Sequence, residues 1–174
     1  VGVCRIEVDG ESREVLVKRR NPRCWWKSLL DPFRMSRAKK GFFFGAAFEN
    51  RHLPTPRVLA ALDCRHCGRM RASYLVLEYV EGAENLAKVL AGVDSSALSR
   101  TLSSQQSLLM SRLARTLRRM HWCGFSMRDL KAANILVFER GGRIDFSLSD
   151  LDGLRFYLSG VPDRVAMKNL ARLY

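Results

Sequence analysis

The segment FSMRDLKAANILVF, residues 125–138, constrains this chain more than any other part of the sequence. It holds Asp129 and Asn134 in one polar loop, and the loop leads into an apolar run that is typical of a buried strand. In such a loop a carboxylate can reach the proton of a hydroxyl group, while an amide oxygen can reach a divalent cation. The spacing alone is common, and two ordinary polar turn residues would satisfy it equally well.

The full segment is more restrictive than this spacing. It resembles the catalytic loop R-D-L-K-x-x-N-I-L of the protein-kinase-like phosphotransferases, from Arg128 to Leu136. The resemblance implies that Asp129 orients and deprotonates an acceptor hydroxyl, that Lys131 is a second catalytic residue, and that Asn134 binds magnesium. One departure is Met127, which stands at the place of the usual histidine.

The first 20 residues alternate between apolar and polar side chains and contain the turn Asp9-Gly10, which predicts a β-hairpin. The second strand ends in Val-Leu-Val, and Lys18 follows it. Lys18 matches the strand lysine that holds the nucleotide phosphates in kinases. No G-x-G-x-x-G loop precedes these strands, so we interpret the chain as a fragment or as a member of a family with a degenerate loop.

Residues 36–52 predict one helix that ends before Pro54, in spite of two glycines. Glu49 is the only acid on this helix, which makes it the candidate partner of Lys18. A surface glutamate that neutralises nearby arginines is the alternative interpretation. The segments PRVLAALDC and SYLVLEYVEG predict two further strands, and the resemblance implies that backbone groups of Glu78 and Val80 contact adenine.

The C-terminal half predicts a short helix over 85–92, a serine-rich connection over 93–104, and a long helix that a Ser103–Gln106 capping box begins. The apolar face of the long helix consists of Leu109, Leu113, Leu117 and Met120, and His121 near its end is interpreted as a structural histidine. Further on, the strand SLSD ends in Asp150, and D-L-D-G stands in place of the kinase D-F-G. The resemblance makes Asp150 the candidate magnesium-binding carboxylate, with Asp152 as the second candidate.

Thirty Lys and Arg residues against 17 acids give a net charge of +13, which favours an anionic partner. The excess is concentrated between Lys18 and Lys40, where tryptophans and a phenylalanine accompany the basic residues. This composition suits an anionic membrane surface, and it also suits nucleic acid or a merely solvated face.

There is no signal-peptide or membrane-spanning pattern and the number of cysteines is odd, so we expect a cytoplasmic protein with reduced thiols. The Cys64-x-x-Cys67 pair lacks a matching second pair, and we assign no metal to it.

Several softer matches narrow the resemblance. These are the run from Trp26 to Lys40, the L-P-T-P at 53–56, the D-L-D-G, and the final RVAMKNLARLY. Together with the catalytic loop they resemble the bacterial lipopolysaccharide kinases, which act on Kdo and heptose in the lipopolysaccharide core. The resemblance implies ATP and Mg²⁺ as cofactors and a sugar hydroxyl on a core glycolipid as acceptor. It also implies peripheral contact with the anionic inner membrane at its cytoplasmic face, and no nucleic-acid partner.

The implied fold is α+β and protein-kinase-like with two lobes, incomplete at both ends. Residues 1–80 are expected to form a nucleotide-binding lobe, with an antiparallel sheet and one helix, and residues 81–174 a mostly helical catalytic lobe. A protein serine/threonine kinase would share the same catalytic residues, although no A-P-E element follows Asp152. A catalytically inert kinase-like binding module is the other alternative, which the missing glycine-rich loop favours.

Overall fold

A computed structural model describes residues 1–8, 10–20, 35–67, 69–91 and 97–173. Within these ranges the side chains of Val8, of residues 97–104 and of Asp152 are not described. Three of the sequence predictions therefore concern features outside the described residues: the turn residue Asp9, the larger part of the basic and aromatic segment (21–34), and the carboxylate of Asp152.

The described residues form a mixed α/β fold with antiparallel sheets. The strands are β1 (Gly2–Val8), β2 (Glu11–Arg20), β3 (Val58–His66), β4 (Arg69–Glu78), β5 (Glu84–Asn85), β6 (Phe125–Met127), β7 (Ile135–Arg140), β8 (Arg143–Leu148) and β9 (Leu154–Phe156). The helices are α1 (Arg37–Glu49), α2 (Leu86–Leu90), α3 (Ala97–Trp122) and α4 (Asp163–Leu170), and short 3₁₀ turns cover Ala132–Asn134 and Leu151–Gly153.

The chain divides into two compact units. The first comprises Val1–His52 and Pro56–Tyr79, and the second comprises Leu53–Thr55 and Val80–Tyr174. The short segment Leu53–Thr55 belongs to the second unit, where the carbonyl oxygen of Pro54 accepts a hydrogen bond of 2.9 Å from the N–H of Leu148.

A four-stranded antiparallel sheet with the order β1-β2-β4-β3 forms the first unit together with α1. The expected hairpin is present, since β1 pairs with β2 from Gly2↔Val17 to Val8↔Glu11. Alternate residues of the sheet face α1, and a buried apolar cluster fills the space between them: Ala38, Val58, Leu75 and Leu77. Burial of this apolar surface is the main source of stability for such a helix-on-sheet pair.

Helix α1 lies close to the sheet because two of its inward positions are glycine. A Cβ atom on Gly41 would come within 2.8 Å of a Leu75 methyl group, and one on Gly45 would come within 2.3 Å of Val58. The helix begins at a capped end, where the Ser36 hydroxyl oxygen accepts a hydrogen bond of 3.0 Å from the Lys39 N–H. Packing against the sheet thus outweighs the low helix propensity of glycine.

The second unit contains helices α2, α3 and α4 and two small sheets, β5-β7-β8 and β6-β9. It is therefore less helical than the sequence predicted. The strands that the sequence predicted on either side of these glycines, β7 and β8, form a tight hairpin in which Gly141 and Gly142 have φ of 57° and 75°. Positive φ at both central positions suits the twist of antiparallel strands, so the chain returns as a strand.

Helix α3 is longer than predicted because it includes residues 97–104 of the serine-rich segment. It begins at Ala97, so Ser103 lies inside the helix and the prediction of a capping box there is wrong. Serine costs only a few tenths of a kcal/mol in a helix interior, and this segment has no glycine or proline that would end the helix. The predicted apolar face is confirmed, with all four of its residues buried. None of the described helices combines the length and apolar character that a bilayer-spanning helix requires.

An arginine joins α3 to β8. The guanidinium of Arg112 forms an ion pair of 2.7 Å with Asp145, donates a hydrogen bond of 2.9 Å to the carbonyl oxygen of Ile144, and lies over the ring of Phe146. These contacts hold the long helix against the hairpin whose second strand leads to Asp150.

Candidate active site

The loop between β6 and β7 is closed by the side chain of Asn134. Its amide nitrogen donates a hydrogen bond of 2.7 Å to the carbonyl oxygen of Asp129, and its backbone N–H donates one of 2.9 Å to the carbonyl oxygen of Lys131. The second bond forms the 3₁₀ turn Ala132–Asn134. One residue thus fixes the backbone at Asp129 and at Lys131, two positions further on.

The carboxylate of Asp129 is paired with a cation from its own loop. Nζ of Lys131 lies 3.0 Å from Oδ1 of Asp129, and about half of each side chain is exposed. The pair orients the carboxylate, and the exposure leaves it accessible to a substrate hydroxyl. Both features are compatible with the predicted role of Asp129 as a general base.

Asp150 is connected to the same loop by hydrogen bonds of its neighbour Ser149. The N–H and the hydroxyl of Ser149 both donate to the carbonyl oxygen of Asn134, at 2.9 and 3.0 Å. Asp150 itself has φ 64° and ψ 51°, a left-handed conformation that turns the chain at the start of the Leu151–Gly153 turn. The predicted strand ends earlier than expected, at Leu148, so Asp150 stands on this turn and not on β8.

Asn134 and Asp150 have the donor chemistry that magnesium prefers. The amide nitrogen of Asn134 is used within the loop, which leaves its Oδ1 as the atom that can bind an external cation. With the carboxylate of Asp150 this supplies two hard oxygen donors, and Mg²⁺ at nucleotide sites usually takes one or two protein oxygens and completes its shell with phosphate and water. The residues therefore fit Mg²⁺. Among the described residues no group of three or more His, Cys, Asp or Glu side chains is arranged as a metal site.

The residues predicted to bind nucleotide lie on strands of the first unit and at its boundary. Lys18 is in β2, opposite Leu75 of β4, and is partly buried. Glu78 is the last residue of β4, and its N–H donates a hydrogen bond of 2.9 Å to the carbonyl oxygen of Arg57. Val80 begins the second unit, and no hydrogen bond from its N–H is found within the described part of the chain.

The structure gives Glu49 a cationic partner other than Lys18. Oε1 of Glu49 lies 3.4 Å from Nε of Arg57, and half of the glutamate side chain is exposed. The buried residues of α1 are Ala38, Gly41, Gly45 and Phe48, none of which is acidic. Pairing of Glu49 with Lys18 stays a prediction, and this arrangement favours the alternative of a surface glutamate that neutralises an arginine.

The sequence matches the lipopolysaccharide kinase (Kdo/WaaP) family over residues 7–174. The chain belongs to this family. The resemblance carried by its catalytic loop and the softer matches is thereby confirmed. A search of curated proteins gave no significant match.

One solved structure, described as WaaP in complex with acyl carrier protein, has a similar fold. The TM-score is 0.62 at 21% sequence identity, and the match covers 99% of this chain and 65% of that chain. This Kdo/WaaP family member thus spans about two thirds of the length of the solved protein, and the likeness extends over nearly all of its own residues.

Sequence reasoning missed two residues whose hydrogen bonds reach the loops that carry the predicted site residues of this lipopolysaccharide kinase family member. Ser149 links Asn134 to the Asp150 turn, and the guanidinium of Arg172 donates a hydrogen bond to the carbonyl oxygen of Arg128. Neither has a signal in its local pattern, because a serine at a strand end and an arginine after a helix are common on any surface. The interpretation of His121 as a structural histidine is confirmed by its hydrogen-bond distance of 3.3 Å to Asn169.

A basic groove lies on the outer face of α3 in the same unit. It has a volume of about 540 Å³, and its lining consists of Arg115, Arg118, Arg119, Trp122 and Cys123. Trp122 is 84% exposed. Within the described residues, no carboxylate pairs with any of the three arginines. The groove therefore presents uncompensated positive charge beside a large aromatic ring, which suits an anionic partner.

Proposed function

We propose that this protein transfers the γ-phosphoryl group of ATP to a sugar hydroxyl, on Kdo or heptose, of the lipopolysaccharide inner core. Membership of the lipopolysaccharide kinase family supports the reaction class. The single observation that carries the proposal is the set of hydrogen bonds centred on Asn134. The side-chain amide of Asn134 closes the loop that bears Asp129. Its backbone carbonyl oxygen accepts a hydrogen bond from Ser149, the residue before Asp150. A base and two cation ligands are thus held by one short network.

In the proposed reaction Asp129 accepts the proton of the acceptor hydroxyl as its oxygen attacks the γ-phosphorus. The bond to the β-γ bridging oxygen breaks, and ADP leaves with the electron pair. Lys131 holds the Asp129 carboxylate in one orientation and supplies positive charge near the phosphoryl group that is transferred. Mg²⁺ bound by Asn134 and Asp150 would neutralise phosphate charge.

We further propose that the two units are the nucleotide-binding and catalytic lobes of a protein-kinase-like fold. In this proposal Lys18 holds the ATP phosphates, and backbone groups of Glu78 and Val80 bind adenine. The lack of an internal partner for the Val80 N–H within the described residues supports the adenine role. Glu49 is left out of this set because its ion-pair partner is Arg57.

The acceptor is proposed to reach the enzyme at the cytoplasmic face of the inner membrane, where the protein binds peripherally. The net charge of +13 and the groove formed by the α3 arginines support an anionic surface or glycolipid as partner. A partner protein is the competing occupant of this basic surface, because WaaP was solved in complex with acyl carrier protein.

Transfer of labelled phosphate from Mg-ATP tests the proposal. The complete gene product is offered a core glycolipid that carries Kdo or heptose, and in parallel a generic protein substrate. We expect label on the glycolipid, and we expect Asp129→Asn to lower the turnover by about 10² to 10⁴ while ATP affinity is retained. Glu139→Gln is the control for the loss of one carboxylate, since Glu139 is an exposed acid near the end of β7 that belongs to none of the proposed functional sets.

Each outcome of this assay has one meaning. Label on protein alone would replace the proposal with a protein serine/threonine kinase. No label on either substrate, with ATP still bound, would favour an inert kinase-like binding module. Equal turnover in Asp129→Asn and the unmodified protein would remove Asp129 from the mechanism.

A further inference from the structure

A single buried amide joins three elements of the second unit. Asn169 on α4 is 3% exposed, and its Oδ1 accepts a hydrogen bond of 2.9 Å from the hydroxyl of Ser126 on β6. Nε2 of His121, at the end of α3, lies 3.3 Å from the same oxygen. Both partners are buried as well, at 2% and 8% exposure. A buried amide is costly unless it is hydrogen-bonded, so these contacts determine how α4 packs.

The chemistry of the amide oxygen fixes the roles of its two partners. This oxygen can only accept, so the Ser126 hydroxyl donates a hydrogen bond to it and His121 carries its hydrogen on Nε2. Desolvation by burial lowers the pKa of His121 and the hydrogen bond to Asn169 opposes this, with a net lowering. The ring is therefore neutral near pH 7, and the three side chains form one defined arrangement.

Strand β6 connects this network to the proposed active site. Ser126 is the middle residue of β6 and stands three positions before Asp129. The strand pairs with β9 from Phe125↔Phe156 to Met127↔Leu154, and Leu154 directly follows the Leu151–Gly153 turn that Asp150 begins. The β6–β9 pair thus supports the loops of both Asp129 and Asp150. A two-stranded pair of this length is barely stable by itself and depends on packing from other elements.

Arg172 makes a second contact from the same C-terminal segment. Its guanidinium donates a hydrogen bond to the carbonyl oxygen of Arg128, the residue before Asp129. Arg172 lies two positions after the end of α4 and three positions after Asn169. The segment that begins with α4 therefore holds the catalytic loop at two points, Ser126 and Arg128, on the N-terminal side of Asp129.

We propose that Asn169 and Arg172 are positioning residues for Asp129. They fix β6 and the backbone before Asp129, so that the carboxylate is in place before substrate binds. The kinetic part of this inference rests on the proposed phosphotransferase function, whereas the structural part does not. Loss of either side chain should affect the chemical step far more than nucleotide binding, because neither residue is in the proposed ATP-binding set.

Substitutions at both positions, made in the complete protein, test the inference. Asn169→Leu keeps the approximate shape but removes the acceptor, and Arg172→Met removes the donor; Asn169→Asp keeps acceptor oxygens and serves as the conservative variant. We expect kcat to fall about 10- to 100-fold in Asn169→Leu and Arg172→Met, with KM for ATP changed less than about threefold, since small misplacements of a catalytic group have effects of this size. Asn169→Asp should retain most of the turnover at neutral pH.

Hydrogen exchange supplies a readout that does not depend on activity. Backbone amides of residues 127–131 should exchange about tenfold faster or more in Asn169→Leu, because the loop opens locally. The control is Leu109→Ala, which removes buried packing from α3. Leu109 precedes His121 by 12 positions, about 18 Å along the helix. This variant should be less stable, with kcat per folded molecule and local exchange of 127–131 unchanged.

The outcomes separate the inference from the proposed function. If Asn169→Leu lowers stability as the control does but leaves kcat and the exchange of 127–131 unchanged, Asn169 is merely structural and the inference is wrong. If the unmodified protein transfers no phosphate, the proposed function fails, and hydrogen exchange alone still decides whether α4 holds the loop.

Discussion

Lys131 and Asp129 form an ion pair within the loop that also contains Asn134, with 3.0 Å between Nζ and Oδ1. The side chains are 55% and 51% exposed, so water screens the attraction. Pairs of this kind contribute little to folding, about 0–1 kcal/mol. The pair is therefore better explained by its effect on the orientation of the carboxylate and on the phosphoryl group than by stability.

Replacement of Lys131 should separate its effect on catalysis from its effect on stability. We expect Lys131→Met to lower kcat about 10- to 100-fold, because the base loses its orientation and the transferred group loses a cation. The melting temperature should change by no more than about 2 °C, which follows from the small contribution of an exposed pair. Lys88→Met is the matched control, since Lys88 is an exposed lysine on α2 of the same unit. A large stability loss with normal turnover would contradict this assignment.

Gly124 lies where the end of α3 meets the chain after β9. It has φ +81°, and a Cβ atom there would come within 2.0 Å of the Tyr157 carbonyl oxygen, which is backbone and cannot move aside. We expect Gly124→Ala to destabilise the protein by about 3 kcal/mol or more in urea unfolding, since close backbone contact is added to the cost of a left-handed alanine. Gly142→Ala measures the cost of a left-handed alanine alone, because Gly142 has φ +75° and open space around it. Equal losses for the two variants would show that close approach is unimportant.

Burial of His121 has a consequence for stability at acidic pH. The pKa of His121 is lowered below its ordinary value of 6.5, chiefly by desolvation, so the unfolded chain binds a proton at a higher pH than the folded chain. The contribution of His121 to stability is therefore fully present above pH 6.5 and is lost as the pH decreases through this value toward the lower folded pKa. The free energy of unfolding, measured from pH 5 to 8, should fall more steeply with acid in the unmodified protein than in His121→Gln. Parallel curves would mean that His121 does not contribute.

Sequence patterns predicted the elements whose residues repeat at a clear period. The β1–β2 hairpin, α1 and the apolar face of α3 follow from alternation or helical spacing, and local chemistry is enough to specify them. The start of α3 was predicted wrongly because the local pattern around Ser103 fits a helix cap and a position inside a helix equally well. The contacts of Asn169 and Arg172 could not be predicted, since both join residues more than 40 positions apart and depend on how α4 packs.

Glu49, the predicted acid partner of Lys18, forms an ion pair with Arg57 in the structure. Glu49 was chosen because it is the only acid on α1, yet it stands at the exposed end of the helix and pairs with Arg57. We expect Glu49→Gln to leave KM for ATP and kcat within about twofold, because an exposed pair of this kind has a small energetic effect. Lys18→Met, in contrast, should raise KM for ATP or lower kcat at least tenfold if Lys18 holds phosphate. Steady-state kinetics on both variants provide the comparison. A loss in Glu49→Gln as large as that in Lys18→Met would mean that Glu49 leaves Arg57 and supports Lys18 when nucleotide binds.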